Sequence, residues 1–304
     1  MSSGHEANVA AARNLVRRAL SSAGQPATGK QPVFDEEMAR IYSHLAVQHH
    51  HPSGPWKVMT ERAAAAISNR SSPRILDLAS GPGEPAITFA KTFPSAYVVS
   101  TDVSAAMHEK AKVAASGISN LEVKLADMQH LAEFGDDEFD VVSCCYGFMF
   151  PPDKEKAVKE SFRVLKPGGL IIATTWNRVD IMSIAADLME RTFGAKPEPP
   201  PMNPMALAEP GLFENMLEGA GFHEVEAKLS TYPFSLSSDA DFAFKACVML
   251  FKDKLEEAQA WDKARAIFQD RLSEYFARDE SDTLIIEQNI FKCTTAKKPH
   301  QYKK

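Results

Sequence analysis

Between residues 73 and 175, short apolar runs alternate with stretches of helical spacing. Five runs of strand type, 74–78, 96–101, 121–125, 139–145 and 170–175, enclose helical patterns at 85–92, 105–115 and 154–165. Strands apolar along their whole length are covered on both faces, and strands joined through helices pair in parallel. The punctuation agrees: Pro85 suits a first helical turn, Ser104 and Asp153 suit N-caps, and Pro167-Gly168-Gly169 ends the third helix. The expected core is therefore an α/β Rossmann-like sheet, mostly parallel, with helices on both faces.

The loop after the first strand reads Gly81-Pro-Gly83-Glu-Pro-Ala86, a G-x-G-x-x-A pattern whose small residues permit a tight turn and close approach of backbone to a ligand. Such glycine pairs also occur in ordinary turns, so position carries the weight. A strand precedes the loop, a helix follows it, and Asp102 stands 19 residues beyond Gly83, at the end of the second strand. A carboxylate there can accept from both hydroxyls of a ribose.

A nicotinamide enzyme and a methyl-donor enzyme share these features, and Asp77 separates them. It ends the first strand beside the turn, where a dinucleotide would place its pyrophosphate and a carboxylate would repel it. S-adenosylmethionine has no phosphate, and its cationic amino and sulfonium groups are attracted by a carboxylate, directly or through water. Pro82 removes a backbone donor that a phosphate would need. The third strand then ends at Asp127, 25 residues after Asp102, where a carboxylate can accept from an adenine amino group. Its alternative is a plain turn cap before Gln129-His130-Leu131.

The ordered set Ile75-Leu-Asp-Leu-Ala-Ser-Gly-Pro-Gly83, Thr101-Asp-Val-Ser-Ala-Ala-Met107, Ala126-Asp-Met128, Phe139-Asp-Val-Val-Ser143 and Arg163-Val-Leu-Lys-Pro-Gly-Gly169 resembles class I S-adenosylmethionine-dependent methyltransferases, specifically the ubiquinone/menaquinone biosynthesis methyltransferase-like group. The resemblance covers roughly residues 73–232. It implies a seven-stranded sheet with an antiparallel last strand, here 283–294, and methyl transfer to a small molecule. The donor site it implies comprises Asp77, Ala79, Gly81, Gly83, Asp102, Val103, Met107, Asp127, Met128 and Cys144. A nicotinamide oxidoreductase and a non-catalytic binding module are the alternatives.

Methyl transfer is an in-line displacement, so alignment and exclusion of water are the main tasks and a base is optional. Tyr146 and Phe148 follow the fourth strand at the ligand edge, where an aromatic face can stabilise a sulfonium. Tyr146 and His130 are candidate catalytic residues; Tyr42, Tyr146 and Trp176 are candidate acceptor contacts. His49-His50-His51 reads as a solvated loop or an acceptor contact, not a metal site, because consecutive side chains diverge. Vicinal Cys144-Cys145 lacks the company an arsenite methyltransferase would need.

The rest of the chain departs from this pattern. Residues 1–70 read as a helical extension, with two helices in 34–69 broken at 51–54; residues 1–30, basic and nearly free of acids, also fit a weak transit peptide. The methyltransferase domain spans 71–296, with a proline-rich lid at 177–209 and a helical insertion at 239–276, before a disordered tail at 297–304. The net charge of −6 disfavours nucleic acid. No apolar run suits a membrane span or signal peptide, and four dispersed cysteines suggest a reducing compartment, cytoplasmic unless the first 30 residues address an organelle. Acceptor identity and oligomeric state are open.

Overall fold

Arg74–Leu78 (β1) and Phe139–Cys145 (β4) are buried almost residue for residue, as strands covered on both faces must be. They are adjacent in a computed structural model that describes residue 41 and residues 44–198 and 202–300. The remaining strands are Tyr97–Asp102 (β2), Leu121–Leu125 (β3), Leu165–Arg178 (β5), His223–Ser235 (β6), Ala277–Arg278 (β7) and Leu284–Lys297 (β8). Their order is β3-β2-β1-β4-β5-β8-β6, with two-residue β7 pairing β8 off this path. The first five strands pair in parallel, whereas β8 runs antiparallel between β5 and β6. The sheet is the Rossmann-like one expected, seven strands on its main path plus the short β7.

Helices α1 (Pro55–Ile67), α2 (Ala86–Thr92), α3 (Ala105–Ala114) and α4 (Lys154–Val164) flank the parallel half. Ser104 and Asp153 cap α3 and α4, their side chains accepting from Met107 N and Lys156 N. Beyond β5 come α5 (Asp180–Phe193), α6 (Leu212–Gly219) and a helical run, α7 (Ala240–Val248), α8 (Lys252–Glu257), α9 (Trp261–Asp270) and α10 (Leu272–Tyr275). Helix α5 packs against α7 and α9 through a core that holds Leu188, Phe244 and Phe268. No helix among the described residues is long and apolar enough to cross a membrane.

Two boundaries differ from expectation. Helix α4 does stop before Pro167-Gly168-Gly169, but those residues lie inside β5: Phe139 pairs Leu165 and Val141 pairs Leu170, so 166–169 bulge outward opposite Asp140. Strand β8 continues to Lys297, into the segment whose composition suggests a loose tail, and Lys298 is only 1% exposed. Its ammonium bonds Asp137 Oδ1 at 2.6 Å and the carbonyls of Phe162, Arg163 and Leu165, capping the C-terminus of α4.

Candidate active site

Strand order reverses between β1 and β4, the point in an open α/β sheet where the carboxyl ends of strands leave a crevice for a ligand. Both flanking strands end on a non-glycine residue with left-handed backbone: Ala79 at φ 53° and Tyr146 at φ 57°. Such residues cost about 1 kcal/mol or more and persist only where their surroundings enforce them. For Tyr146 the enforcement is Thr174 on β5, whose carbonyl and hydroxyl both accept from Tyr146 N–H.

Asp77 lies beneath the glycine loop with no exposed surface. Its register partner on β4 is Ser143, so the two side chains share a face, and the Ser143 hydroxyl donates to Oδ1 at 2.5 Å while Ser80 donates to Oδ2 at 2.6 Å. Burial pushes its pKa up to about 7, against these hydroxyls and the Ala86 N–H. Both carboxylate oxygens are thus engaged by the protein. Asp77 ties β1, β4 and the loop together, a different place from the open donor contact that its sequence position suggests.

Asp102 joins the loop to the next helix: Oδ2 accepts from Gly81 N–H at 2.9 Å and Oδ1 from Ser104 N–H at 2.8 Å. Burial raises its pKa, opposed by these amides. At Gly81, φ +55°, an added Cβ would meet no atom within 4 Å, so this turn faces open space; at Gly83, φ +111°, it would lie 2.9 Å from Ile87 Cδ1. Val103 beside Asp102 is 59% exposed, and Met107 is half-buried on the first turn of α3.

The third strand ends in a turn that begins at Asp127. Asp127 Oδ1 accepts from the backbone and side-chain amides of Gln129, and Gln129 in turn accepts from Asp153 N–H ahead of α4. His130 is exposed on this turn, its N–H bonded to Asp127 O. Ala79, Met128 and Cys144 converge around Gly147: a Cβ there would lie 2.5 Å from Cys144 Sγ, 2.7 Å from Ala79 Cβ and 3.2 Å from Met128 Cε. Three residues from three strand ends, expected at one site, do meet. Burial, first of all, drives the Cys144 and Cys145 thiols up, which leaves them protonated and non-nucleophilic.

At the carboxyl ends of β4 and β5 stands an aromatic cluster. Tyr146 stacks on Trp176, the Tyr146 hydroxyl lies 3.2 Å from that of Tyr232 on β6, and Tyr232 Oη lies 2.8 Å from Nδ1 of His49. Trp56 and Phe234 complete the surroundings of His49. Residues Gln48–His50 form a single 3-10 turn in which His49 is buried and His50 exposed, so the solvated-loop reading is corrected for His49. Burial, and then the charge of His50, lower the His49 pKa to about 3. The Tyr146 hydroxyl is driven well above its usual value by burial first, then by Tyr232. Tyr42 lies outside the described residues. Sequence reading missed Tyr232, Trp56 and Gly147; only the His triplet drew attention to His49, and β6, exposed or half-buried up to Thr231, offers no mark for Tyr232.

Residues 75–169 match a family described as a methyltransferase domain. An uncharacterized protein of Mycobacterium tuberculosis is 38% identical over 137 residues, covering 44% of this chain and 46% of its own. The demethylmenaquinone methyltransferase of Clavibacter sepedonicus is 38% identical over 117 residues, 38% of this chain and 45% of its own. The chain thus spans about half the length of the curated relatives it matches. Among solved structures, the YcgJ protein of Bacillus subtilis superposes with a TM-score of 0.53 at 20% identity, covering 82% of this chain and 99% of its own. Phosphoethanolamine N-methyltransferase 2 of Haemonchus contortus, in complex with S-adenosyl-L-methionine, gives 0.51 at 17% identity, covering 88% and 58%. These likenesses show the fold.

Proposed function

We propose that the protein, whose residues 75–169 match a methyltransferase domain, is a class I S-adenosylmethionine-dependent methyltransferase that transfers a methyl group from S-adenosylmethionine to a small, largely apolar acceptor. The observation that carries the reading is the pair of left-handed residues, Ala79 and Tyr146, at the two strand ends flanking the switch point. They open the loop on one side and place aromatic rings on the other.

The residues fit the donor. Gly81 turns toward open space, Asp102 stands beside it as ribose acceptor, and Asp127 with Met128 supplies the adenine end. Asp77 acts as a positioning residue beneath them. The bound donor supplies a methyl carbon activated by a sulfonium leaving group. The chain's own contribution is alignment, through a loop pinned by Asp77 and Asp102, and a dry aromatic wall of Tyr146, Trp176 and Tyr232. Such a wall disfavours charged acceptors, which would lose hydration without compensation. Residence in the cytoplasm and the lack of a nucleic-acid partner belong to the same reading, supported by the free cysteines and the net charge of −6.

Calorimetry with S-adenosylhomocysteine and with NAD tests the donor. Binding of NAD without response to the homocysteine product would sink the proposal. Transfer of radiolabelled methyl into a metabolite extract separates an enzyme from a binding module, which transfers nothing.

A further inference from the structure

We infer that Tyr146, Tyr232 and His49 form a proton path that receives the proton an acceptor loses as it is methylated. The inference rests on the methyl-transfer reading above. Three polar groups from three segments, the end of β4, β6 and the 3-10 turn, meet in series at 3.2 and 2.8 Å within a buried aromatic cluster. Phe234, Phe291 and Trp176 pack around them, so an all-apolar cluster is available to this architecture at no desolvation cost. The series also ends at a strained position, Tyr146, on the ligand side of the sheet.

Burial holds His49 neutral, and in the tautomer that carries its proton on Nε2 the Nδ1 atom accepts. The Tyr232 hydroxyl then donates to Nδ1, the Tyr146 hydroxyl donates to Tyr232, and the Tyr146 oxygen keeps lone pairs for an acceptor's X–H group. In the transfer step, the X–H bond breaks and its electron pair forms the X–C bond, while the C–S pair remains on sulfur as a thioether. The proton passes to Tyr146 Oη as Tyr146's own proton moves to Tyr232 Oη and that of Tyr232 to Nδ1 of His49. One positive charge leaves sulfur and one appears on the imidazole, so the site's net charge is unchanged. The series runs back to its resting state once the product has left, the proton returning through Tyr232 and Tyr146 to the opened acceptor side. The other titratable groups facing the series are His50 on the same turn, His51, whose ring lies 6.5 Å from that of Tyr232, and Cys145 on β4 and Cys293 on β8, whose thiols burial keeps protonated.

The experiment compares wild type, Tyr232→Phe and Tyr146→Phe in radiolabelled methyl transfer to a metabolite extract from pH 6 to 9, with S-adenosylhomocysteine affinity measured on each. Both variants should bind S-adenosylhomocysteine within twofold of wild type yet transfer at least tenfold less label at pH 7, the deficit narrowing toward pH 9 as the acceptor sheds its own proton. In ¹⁵N-histidine spectra, wild-type His49 should show an unprotonated, hydrogen-bonded Nδ1 whose signal shifts in Tyr232→Phe. Transfer within twofold of wild type, a deficit equal at every pH, or a protonated Nδ1 in wild type overturns the path. Should Tyr232→Phe fail to fold, His49→Gln carries the same transfer and affinity expectations. A wild-type protein that binds S-adenosylhomocysteine but labels nothing overturns the methyl-transfer reading itself, and is distinguishable because it fails before any substitution is made.

Discussion

The rings of Tyr146 and Trp176 lie face to face, their centroids 4.0 Å apart and their planes inclined by 8°. They come from neighbouring strands, Tyr146 directly after β4 and Trp176 within β5, where Cys145 pairs Thr174. Trp176 also stacks over Tyr232 at 6.1 Å, so one indole supports both hydroxyl-bearing rings. Replacing Trp176 by Ala should destabilise the protein by about 3 kcal/mol, and Trp176→Phe by clearly less. Urea unfolding of the two variants measures this, and equal losses would show that ring area at this position is not what supports the cluster.

Asp77 makes a prediction about pH. Its folded pKa, about 7, lies above the ordinary carboxylate value of 3.8, so the folded state binds the extra proton between these limits. Stability contributed by this group is therefore lost as pH rises from about 4 to about 7, at up to about 1.4 kcal/mol for each unit crossed. Asp77→Asn lowers stability throughout, because its amide brings donors to a site already filled with donors, but it should lack this pH dependence. Denaturant unfolding at pH 5 and pH 7.5 gives the difference; parallel behaviour of variant and wild type would refute it.

The glycine loop predicts a separation of stability from affinity. Gly81→Ala costs about 1 kcal/mol for its left-handed backbone and meets no protein atom, so the fold should tolerate it. The new methyl points into the space assigned to the donor, and S-adenosylhomocysteine affinity should fall at least tenfold. Asp102→Asn should lower affinity by a similar factor through the ribose contact, whereas exposed Val103→Ala should change it less than threefold. Calorimetry on the three variants checks the ranking.

Lys298 predicts the reverse separation. Lys298→Met strips three carbonyls at the end of α4 and Asp137 of their shared ammonium, which should cost about 3 kcal/mol. Affinity for S-adenosylhomocysteine should stay within twofold, because none of these groups belongs to the loop. A thermal melt and a binding isotherm on the same sample decide it.

The parallel half of the sheet was legible in the chain because its information is local. Ile75, Leu76, Val98, Val99, Val141 and Val142 announce strands buried on both faces, and Ser104 and Asp153 announce helix starts through bonds made within three residues of themselves. The place of Asp102, at a strand end beside a glycine turn, was legible for the same reason. The role of Asp77 was not, since it depends on Ser143 lying opposite in register, 66 residues away.

Sequence alone thus determined the parallel half of the sheet and the glycine loop, through periodicity, caps and turn residues that act over a few positions. Tertiary structure alone decided what surrounds Tyr146. His49 and Tyr232 stand 183 residues apart and meet only because β8 inserts antiparallel between β5 and β6 and carries the end of β6 toward the 3-10 turn. A buried hydroxyl must find a partner, but which partner is a question of long-range packing, and no local pattern in the chain encodes it.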